Sequence, residues 1–513
     1  MVRVDVLTPL VTVVVTAFVV SGGWIGAYFI FGPDKTSMQC ISSNNNNNNI
    51  TPKTPLPTAS YPTQLPPNPF ITDPQCSSSC DFQLVESIPI GLTYNASETL
   101  YTPTHLIWQK LMGMAKTDIH IASFYWSLLG NDTENSPPWH PSMQPGTDVF
   151  NSIVAAGQRN VDIQIAQNYV EGGYFETNYL ASQGLATVRT LNFDNWFSGG
   201  ILHTKAMIID GKHFYVGSAN MDWRSLMQVK ELGVVGYNCE CMAADIDKIF
   251  QVYWHMGSPG AKLPGKWAPS FDTVRNSQNP ISVRLNHQNS AAYFSSSPPQ
   301  FTPAGRLGDG DNIVEIINDA KEFVYIAVMD YVPATLYMPV NTYWNNIDTA
   351  LRSAAFDRRV HVKLLMSKWN HTSRAFYKHL KSLSDISKAL PCVRYTAGNG
   401  EKYCEKNSWG TIEVKLFEVP EDGFEWAAYT RVNHNKYMVT ESTAFIGTSN
   451  WSGDYFLTTG GIGLAIKSQD ASTQNQVAAD LSEKVFLRDW NSKYATSIDH
   501  FDANGNSLPK DEE

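Results

Sequence analysis

Two passages of this 513-residue sequence carry the same side chains in the same order. The first runs Ile201-Leu-His-Thr-Lys-Ala-Met-Ile-Ile-Asp210, then Gly211, then His213-Phe-Tyr-Val-Gly-Ser-Ala-Asn220. The second runs Val432-Asn-His-Asn-Lys-Tyr-Met-Val-Thr-Glu441 and continues as Thr443-Ala-Phe-Ile-Gly-Thr-Ser-Asn450. Side chains two apart on a strand face the same way, so His203 points with Lys205 and His434 with Lys436. Asp210-Gly211 is a hairpin signal, and the returning strand brings Ser218 and Asn220 back beside the first pair, as Ser449 and Asn450 return beside the second. Such donors suit transfer of a phosphoryl centre. One neutral imidazole can attack phosphorus, the other as imidazolium can protonate the leaving alkoxide, and two ammonium groups with Asn and Ser donors can neutralise the equatorial oxygens. This chemistry needs no metal or other cofactor, and the constellation lacks the clustered carboxylates that would hold Mg²⁺ or a zinc pair. A lone His-x-Lys is more often structural than catalytic. Two copies, with Asn 17 residues after His203 and 16 after His434, are hard to explain as packing. Asp210 and Glu441 lie seven residues after their His, near the turn and on the opposite parity, where they brace the hairpin rather than touch substrate.

The elements that must position these residues recur as well. Ile119 to Tyr125 matches Val324 to Tyr331, Val161 to Ala166 matches Val360 to Leu365, and Val188 to Leu191 matches Val414 to Phe417, mostly short strand-like runs. Between some of them lie helical patterns such as Ile347, Ala350, Leu351, Ala354 and Ala355, which form one apolar face. Alternating strands and helices, occurring twice, predict an α/β protein of two homologous halves, 76–285 and 286–500, with the active site at their interface and a short tail at 501–513. A Pro-, Ser- and Gly-rich stretch from about Ser258 to Gly310 is expected to join the halves.

The length already calls for two large units or one duplicated unit. With 43% hydrophobic and 17% charged residues, and 14 Trp, 23 Tyr and 24 Phe, global disorder is excluded. The net charge of −10 argues against a general polyanion binder at neutral pH, but protonating all 12 His in an acidic compartment would bring it to +2. Residues 1–5 form a short cytoplasmic tail and 6–31 an uncharged run long enough for a transmembrane anchor; a cleaved signal peptide is the competing reading. Residues 32–75, with the Asn44 to Asn49 run, read as a stalk. Cys40 within it allows an intermolecular disulfide and a homodimer, or an unpaired or lipidated thiol. Cys76 and Cys80 can cross-link to Cys239 and Cys241 as adjacent bridges, and Cys392 to Cys404; a zinc site is the alternative for the doublets. Sequons at Asn95, Asn131 and Asn370 agree with an oxidising lumen, whereas a glycan on the formal sequon at Asn450 would block the site. The chain is therefore expected to be a single-pass type II membrane protein with a lumenal catalytic region, which a cut in the stalk would release in soluble form.

His203-x-Lys205-x4-Asp210 with Gly217-Ser218-x-Asn220 resembles the HKD signature of the phospholipase D superfamily, and the second copy is similar except that Glu441 stands for Asp. The stretch from His434 to Glu441, the run from Gly447 to Gly453, and Gly217-Ser-Ala-Asn-Met-Asp-Trp-Arg-Ser225 resemble the membrane-anchored phospholipase D3/D4-type branch, from about Cys76 to the Asp489-Trp490 region. The resemblance implies a lysosomal exonuclease, reached through the endoplasmic reticulum and Golgi, that degrades single-stranded DNA and RNA from the 5′ end. It further implies His203 as nucleophile and His434 as general acid, with Lys205, Lys436, Asn220 and Asn450 on the phosphate, and Glu231 orienting the nucleophilic imidazole. Ile462 occupies the corresponding spacing after His434, so the second half lacks that partner. Phospholipid is the alternative substrate, since the same site would serve a hydrolase or transphosphatidylase. Trp196, Phe197 and Trp223 are candidates to stack a terminal base, or core residues.

Overall fold

The computed structural model describes residues 80–509, apart from 131–138, 286–287, 399, 406–407, 422, 424–426 and 469–474. The N-terminal tail, span and stalk, Cys40, Cys76 and Asn131 lie outside the described residues. Among the described residues no helix is long and apolar enough to cross a membrane.

The duplication anticipated from the repeats appears as two sheets of the same topology. The first is built from β1 (Asp81–Ser87), β2 (Asp118–Ser123), β3 (Asp162–Asn168), β4 (Thr187–Leu191), β5 (Lys205–Ile209), β6 (His213–Gly217) and β7 (Glu231–Tyr237), in the order β1-β7-β6-β5-β2-β3-β4. The second adds β8 (Ile281–Leu285), β9 (Gln288–Ser297), β10 (Phe323–Val328), β11 (His361–Ser367), β12 (Thr411–Phe417), β13 (Lys436–Thr440), β14 (Thr443–Gly447) and β15 (Gly461–Ser468), in the order β8-β9-β15-β14-β13-β10-β11-β12. In both, the two strands that follow helical crossovers pair parallel and the rest antiparallel. β5, β6 and β7 are buried along their whole length. This is why they read as continuous apolar runs rather than alternating ones.

Each turn is set by local chemistry. Asp210 and Gly211 have φ of 53° and 58°, the left-handed pair that a two-residue hairpin between β5 and β6 requires. The helix Asn346–Asp357 buries Ile347, Ala350, Leu351, Ala354 and Ala355, the face its spacing prescribes. Each half has a core of its own and the two share a third between them, in which Phe214 of β6 meets Phe294 of β9 edge-on at 5.5 Å and the helix Glu240–Met256 packs.

Three boundary expectations need correction. β8, which a division after residue 285 assigns to the first half, pairs with β9 in the second sheet, so the halves part before Ile281. The stretch Ser258 to Gly310 is no mere linker, since it contains β8 and β9. Polar composition hid β9, whose buried Ser295 hydroxyl is bonded to Asp309 and whose Ser297 hydroxyl is bonded to the Tyr455 and Thr459 carbonyls. The residues after 500 are not simply a tail either, because Phe501 is buried beside Tyr377 in the second core.

Cys80 is bonded to Cys239 and Cys392 to Cys404, while Cys241 is also disulfide-bonded. Zinc is thereby excluded as the role of Cys239 and Cys241. Asn95 and Asn370 are exposed, as glycan acceptors must be. The Cys80–Cys239 bridge spans 159 residues, and in the chain-entropy account a loop of that size stabilises by about 5 kcal/mol. Replacing both cysteines by Ser should lower the thermal midpoint by about 5 °C or less, since the Cys241 bridge remains. Equal midpoints for variant and wild type by differential scanning calorimetry would contradict this.

Candidate active site

Neither proposed catalytic His lies in a strand. His203 and His434 each sit two residues before one, on extended lead-ins that cross to the opposite half. Leu202 bridges Gly460 and Asn433 bridges Lys230, both parallel. The His203 N–H donates to the Gly460 carbonyl at 2.9 Å, and the His434 N–H to the Lys230 carbonyl at 2.8 Å. These contacts are equivalent under the internal repeat. Each lysine then folds back on its own lead-in, Lys205 Nζ donating to the His203 carbonyl at 2.7 Å and Lys436 Nζ to the His434 carbonyl at 2.6 Å.

The Nδ1 partners differ. His203 Nδ1 lies 2.9 Å from the Thr448 carbonyl, which fixes the proton on Nδ1 and leaves Nε2 as the reactive nitrogen. His434 Nδ1 lies 2.9 Å from both carboxylate oxygens of Glu231. The expected pairing of Glu231 with His203 is therefore overturned. Glu231 adjoins Lys230, the residue that receives the His434 N–H, so its side chain emerges beside the imidazole of the other half. The strand β15 carries Gly461 at the matching position, and the backbone carbonyl of Thr448 serves His203 instead.

Asn220 and Asn450 come together with these groups as expected. The Asn220 amide donates to the Tyr125 hydroxyl at 3.4 Å, and the Asn450 amide donates to the Tyr455 hydroxyl at 3.1 Å and to the Met329 sulfur at 3.8 Å. Asn450 is 3% exposed, too buried for a glycan. Ser218 does not fit its expected substrate role, because its hydroxyl donates to the Leu232 carbonyl and accepts from the Leu232 N–H, stitching β6 to β7. Ser449 aligns with Ala219, and its hydroxyl is buried without a hydrogen-bond partner. Nor do Asp210 and Glu441 belong among the reacting groups. The Asp210 carboxylate accepts backbone N–H groups of Lys116, Thr117 and Asp118, and Glu441 accepts those of Lys321, Glu322 and Phe323. Each acid braces its hairpin against the loop that enters the neighbouring strand.

Burial and mutual repulsion dominate the electrostatics. Desolvation, then Lys205, Lys436 and His434, hold the His203 imidazole well below its ordinary pKa. Burial takes His434 down to about 4 against the raising influence of Glu231. Lys436 is pushed down to about 7 by burial, with Glu231 and Asp330 opposing, and Lys205 is also held well below the lysine range by burial and by Lys436. An anionic phosphodiester entering this seam favours the charged form of all four groups.

Several residues at the site were not singled out from the sequence. Phe124 tilts against His203 at 5.1 Å, Tyr455 meets it edge-on at 5.0 Å, and Asp330, its carboxyl raised to about 6 by burial, acts on Lys436. Tyr125 and Asp330 lie two residues beyond β2 and β10. The C-terminal ends of parallel strands are where α/β sheets present ligand-binding groups, so position was the signal available. The three base-stacking candidates prove to be packing residues. Trp223 is buried beside Met143 and Ala427, while Trp196 and Phe197 pack on Phe193 and Phe301.

Residues 97–395 match the family described as "PLD3/4, PLD-like domain", and residues 313–490 match "Cardiolipin synthase, PLD-like domain". A curated protein of Xenopus laevis named 5'-3' exonuclease PLD3 is 42% identical over 83% of this chain and 83% of its own length. Its Homo sapiens namesake is 39% identical over 83% and 82%. A Caenorhabditis elegans protein named as a probable phospholipase D is 39% identical over 82% of this chain and 72% of its own.

Glu231 raises the His434 pKa, so Glu231→Gln should move loss of the protonated imidazole to lower pH. On the alkaline side of the pH–rate profile each unit of that shift lowers the rate about tenfold. A profile superimposable on the wild type would refute the coupling.

Proposed function

Because this chain belongs to the PLD3/4-type branch of the phospholipase D-like family, and because its two His–Lys–Asn sets converge across the seam between the halves, we propose that it is a phosphodiesterase cleaving single-stranded nucleic acid from the 5′ end through a phosphohistidine on His203. The observation that carries this reading is the unequal support of the two imidazoles. Burial and the neighbouring Lys205, Lys436 and His434 favour the free base of His203, against the raising influence of the Thr448 carbonyl that holds its Nδ1, and a free base is what a nucleophile needs. A carboxylate holds His434 and favours the imidazolium, which is what a general acid needs. These partners support the roles implied by family resemblance, although Glu231 holds His434 and not His203 as the resemblance implied.

In the first step Nε2 of His203 forms a bond to phosphorus while the bond to the 5′-oxygen of the following nucleotide breaks, and that oxygen takes the proton of His434. The phosphoryl group stays esterified to the 3′-oxygen of the terminal nucleotide. In the second step neutral His434 removes a proton from water, hydroxide displaces the imidazole, and a 3′-phosphorylated nucleotide leaves. Lys205, Lys436, Asn220 and Asn450 offset the equatorial charge throughout.

The disulfides and the exposed Asn95 and Asn370 support an oxidising, lumenal setting, and the depressed imidazoles support work in an acidic one such as the lysosome. The uncharged run 6–31 supports a membrane anchor. Phospholipid is the competing substrate, and it is favoured by the names of the worm relative and of the cardiolipin synthase family.

Purified protein given a 5′-hydroxyl oligonucleotide and phosphatidylcholine vesicles side by side should degrade the oligonucleotide, with an optimum below neutrality because activity falls as His434 loses its proton. Hydrolysis of the lipid alone would reverse the assignment. His434→Ala should slow oligonucleotide cleavage by on the order of 10² to 10⁴ yet still label His203 from a nitrophenyl phosphodiester, whose leaving group needs little protonation. His203→Ala should abolish labelling, and phosphoryl trapped on His434 would show the roles to be exchanged.

A further inference from the structure

Large exposed aromatic side chains are scattered over the surface, but Tyr337 differs from the rest in what its ring touches. It is 57% exposed, and its ring meets Tyr455 at 6.3 Å, nearly perpendicular, while Tyr455 meets His203 at 5.0 Å. An accessible ring therefore stands two ring-to-ring contacts from the proposed nucleophile. Asp454, one residue before Tyr455, fixes its backbone. The Asp454 carboxylate accepts the N–H groups of Leu336 at 2.7 Å, Tyr337 at 2.8 Å and Met338 at 3.2 Å. From the other half Gly199, at φ 83°, passes so close to the Tyr337 carbonyl that any Cβ there would collide with it. Tyr337 is thus a preorganised ring at the seam, held by both halves, and neither the internal repeat nor the proposed chemical step accounts for it.

Resting on the nuclease reading above, we propose that Tyr337 is the stacking platform for the base of the terminal nucleotide, the one released. The geometry of displacement selects that nucleotide. In-line attack by His203 drives the leaving 5′-oxygen toward His434, so the rest of the strand departs on that side. The nucleotide that keeps the phosphoryl group remains on the His203 side, where Tyr455 and Tyr337 lie. Every base has a π-face, so an aromatic platform here holds a terminal base without reading its identity. Such a site suits an enzyme that removes nucleotides in succession.

The test uses 5′-hydroxyl oligothymidylates that are intact, abasic at the terminal position, or abasic at the second position, given to the wild type, Tyr337→Ala and Tyr337→Phe. Removing the terminal base should lower wild-type kcat/KM roughly 10- to 100-fold, and removing the second base should have much less effect. Tyr337→Ala should lose a similar factor on the intact strand and nothing further on the terminally abasic one, while Tyr337→Phe, which keeps the ring, stays near the wild type. An unchanged Tyr337→Ala, an equal loss on intact and terminally abasic strands, or a loss that follows the second base would overturn the assignment. A wild type that cleaves none of the strands but hydrolyses phosphatidylcholine would overturn the nuclease reading and this inference together. The wild-type comparison of the three strands reads the terminal-base contribution without any variant having to fold.

Discussion

Everything catalytic in this protein hangs on two backbone hydrogen bonds that cross from one half to the other. His203 is held by Gly460 and His434 by Lys230, each through its own N–H. The Nδ1 partners cross as well, Thr448 reaching His203 and Glu231 reaching His434. Each half thus contributes one imidazole and the support for the other. The shared core beneath, where Phe214 meets Phe294, keeps the two sheets in the register that these contacts need.

Collecting two lysines and two histidines in a nearly dry seam is costly, and desolvation is the leading cause of depression in all four. A second group of buried charges is paired. Beneath the site Lys230 lies 2.8 Å from Asp489 and Arg488 lies 2.6 Å from Glu86, all fully buried. That network ties β1 and the segment preceding the site to the C-terminal helix Leu487–Trp490. At the site itself Glu231 bonds to an imidazole and not to the lysines, so the positive groups await an anion. The contrast separates charges that hold the fold from charges that await substrate.

Departures from internal symmetry occur where the halves meet. Glu231 faces a repeat partner, Gly461, with no side chain; Tyr125 corresponds to Asp330, Phe124 to Met329, and Ser225 to Tyr455. The braces, by contrast, are kept: Asp210 and Glu441 perform the same task on the two hairpins. A phosphodiester has two chemically different ends, so two identical imidazole environments would serve attack and protonation equally poorly. Unequal surroundings give each ring its own proton affinity.

Spacing alone grouped His203 with Lys205 and Asn220, and His434 with Lys436 and Asn450, because the order of these residues around a tight turn is local geometry that occurs in both copies. Parity also placed Asp210 and Glu441 at the turns, and strand-like runs of Val, Ile and Ala marked the central strands of both sheets. β9 escaped because its buried polar residues are satisfied by partners distant in sequence, such as Asp309 and Tyr455, that composition does not reveal. The partner of Glu231 escaped for the same kind of reason. Counting residues along one chain links Glu231 to His203, whereas the carboxylate meets the ring delivered beside it by the Lys230–Asn433 bridge, 203 residues away. Which aromatic residues are accessible was likewise a matter of packing: Trp223 is buried and Tyr337 exposed. Contacts within a turn or along a strand follow from nearby residues, but contacts between halves depend on how two sheets pack, and only the folded chain sets that.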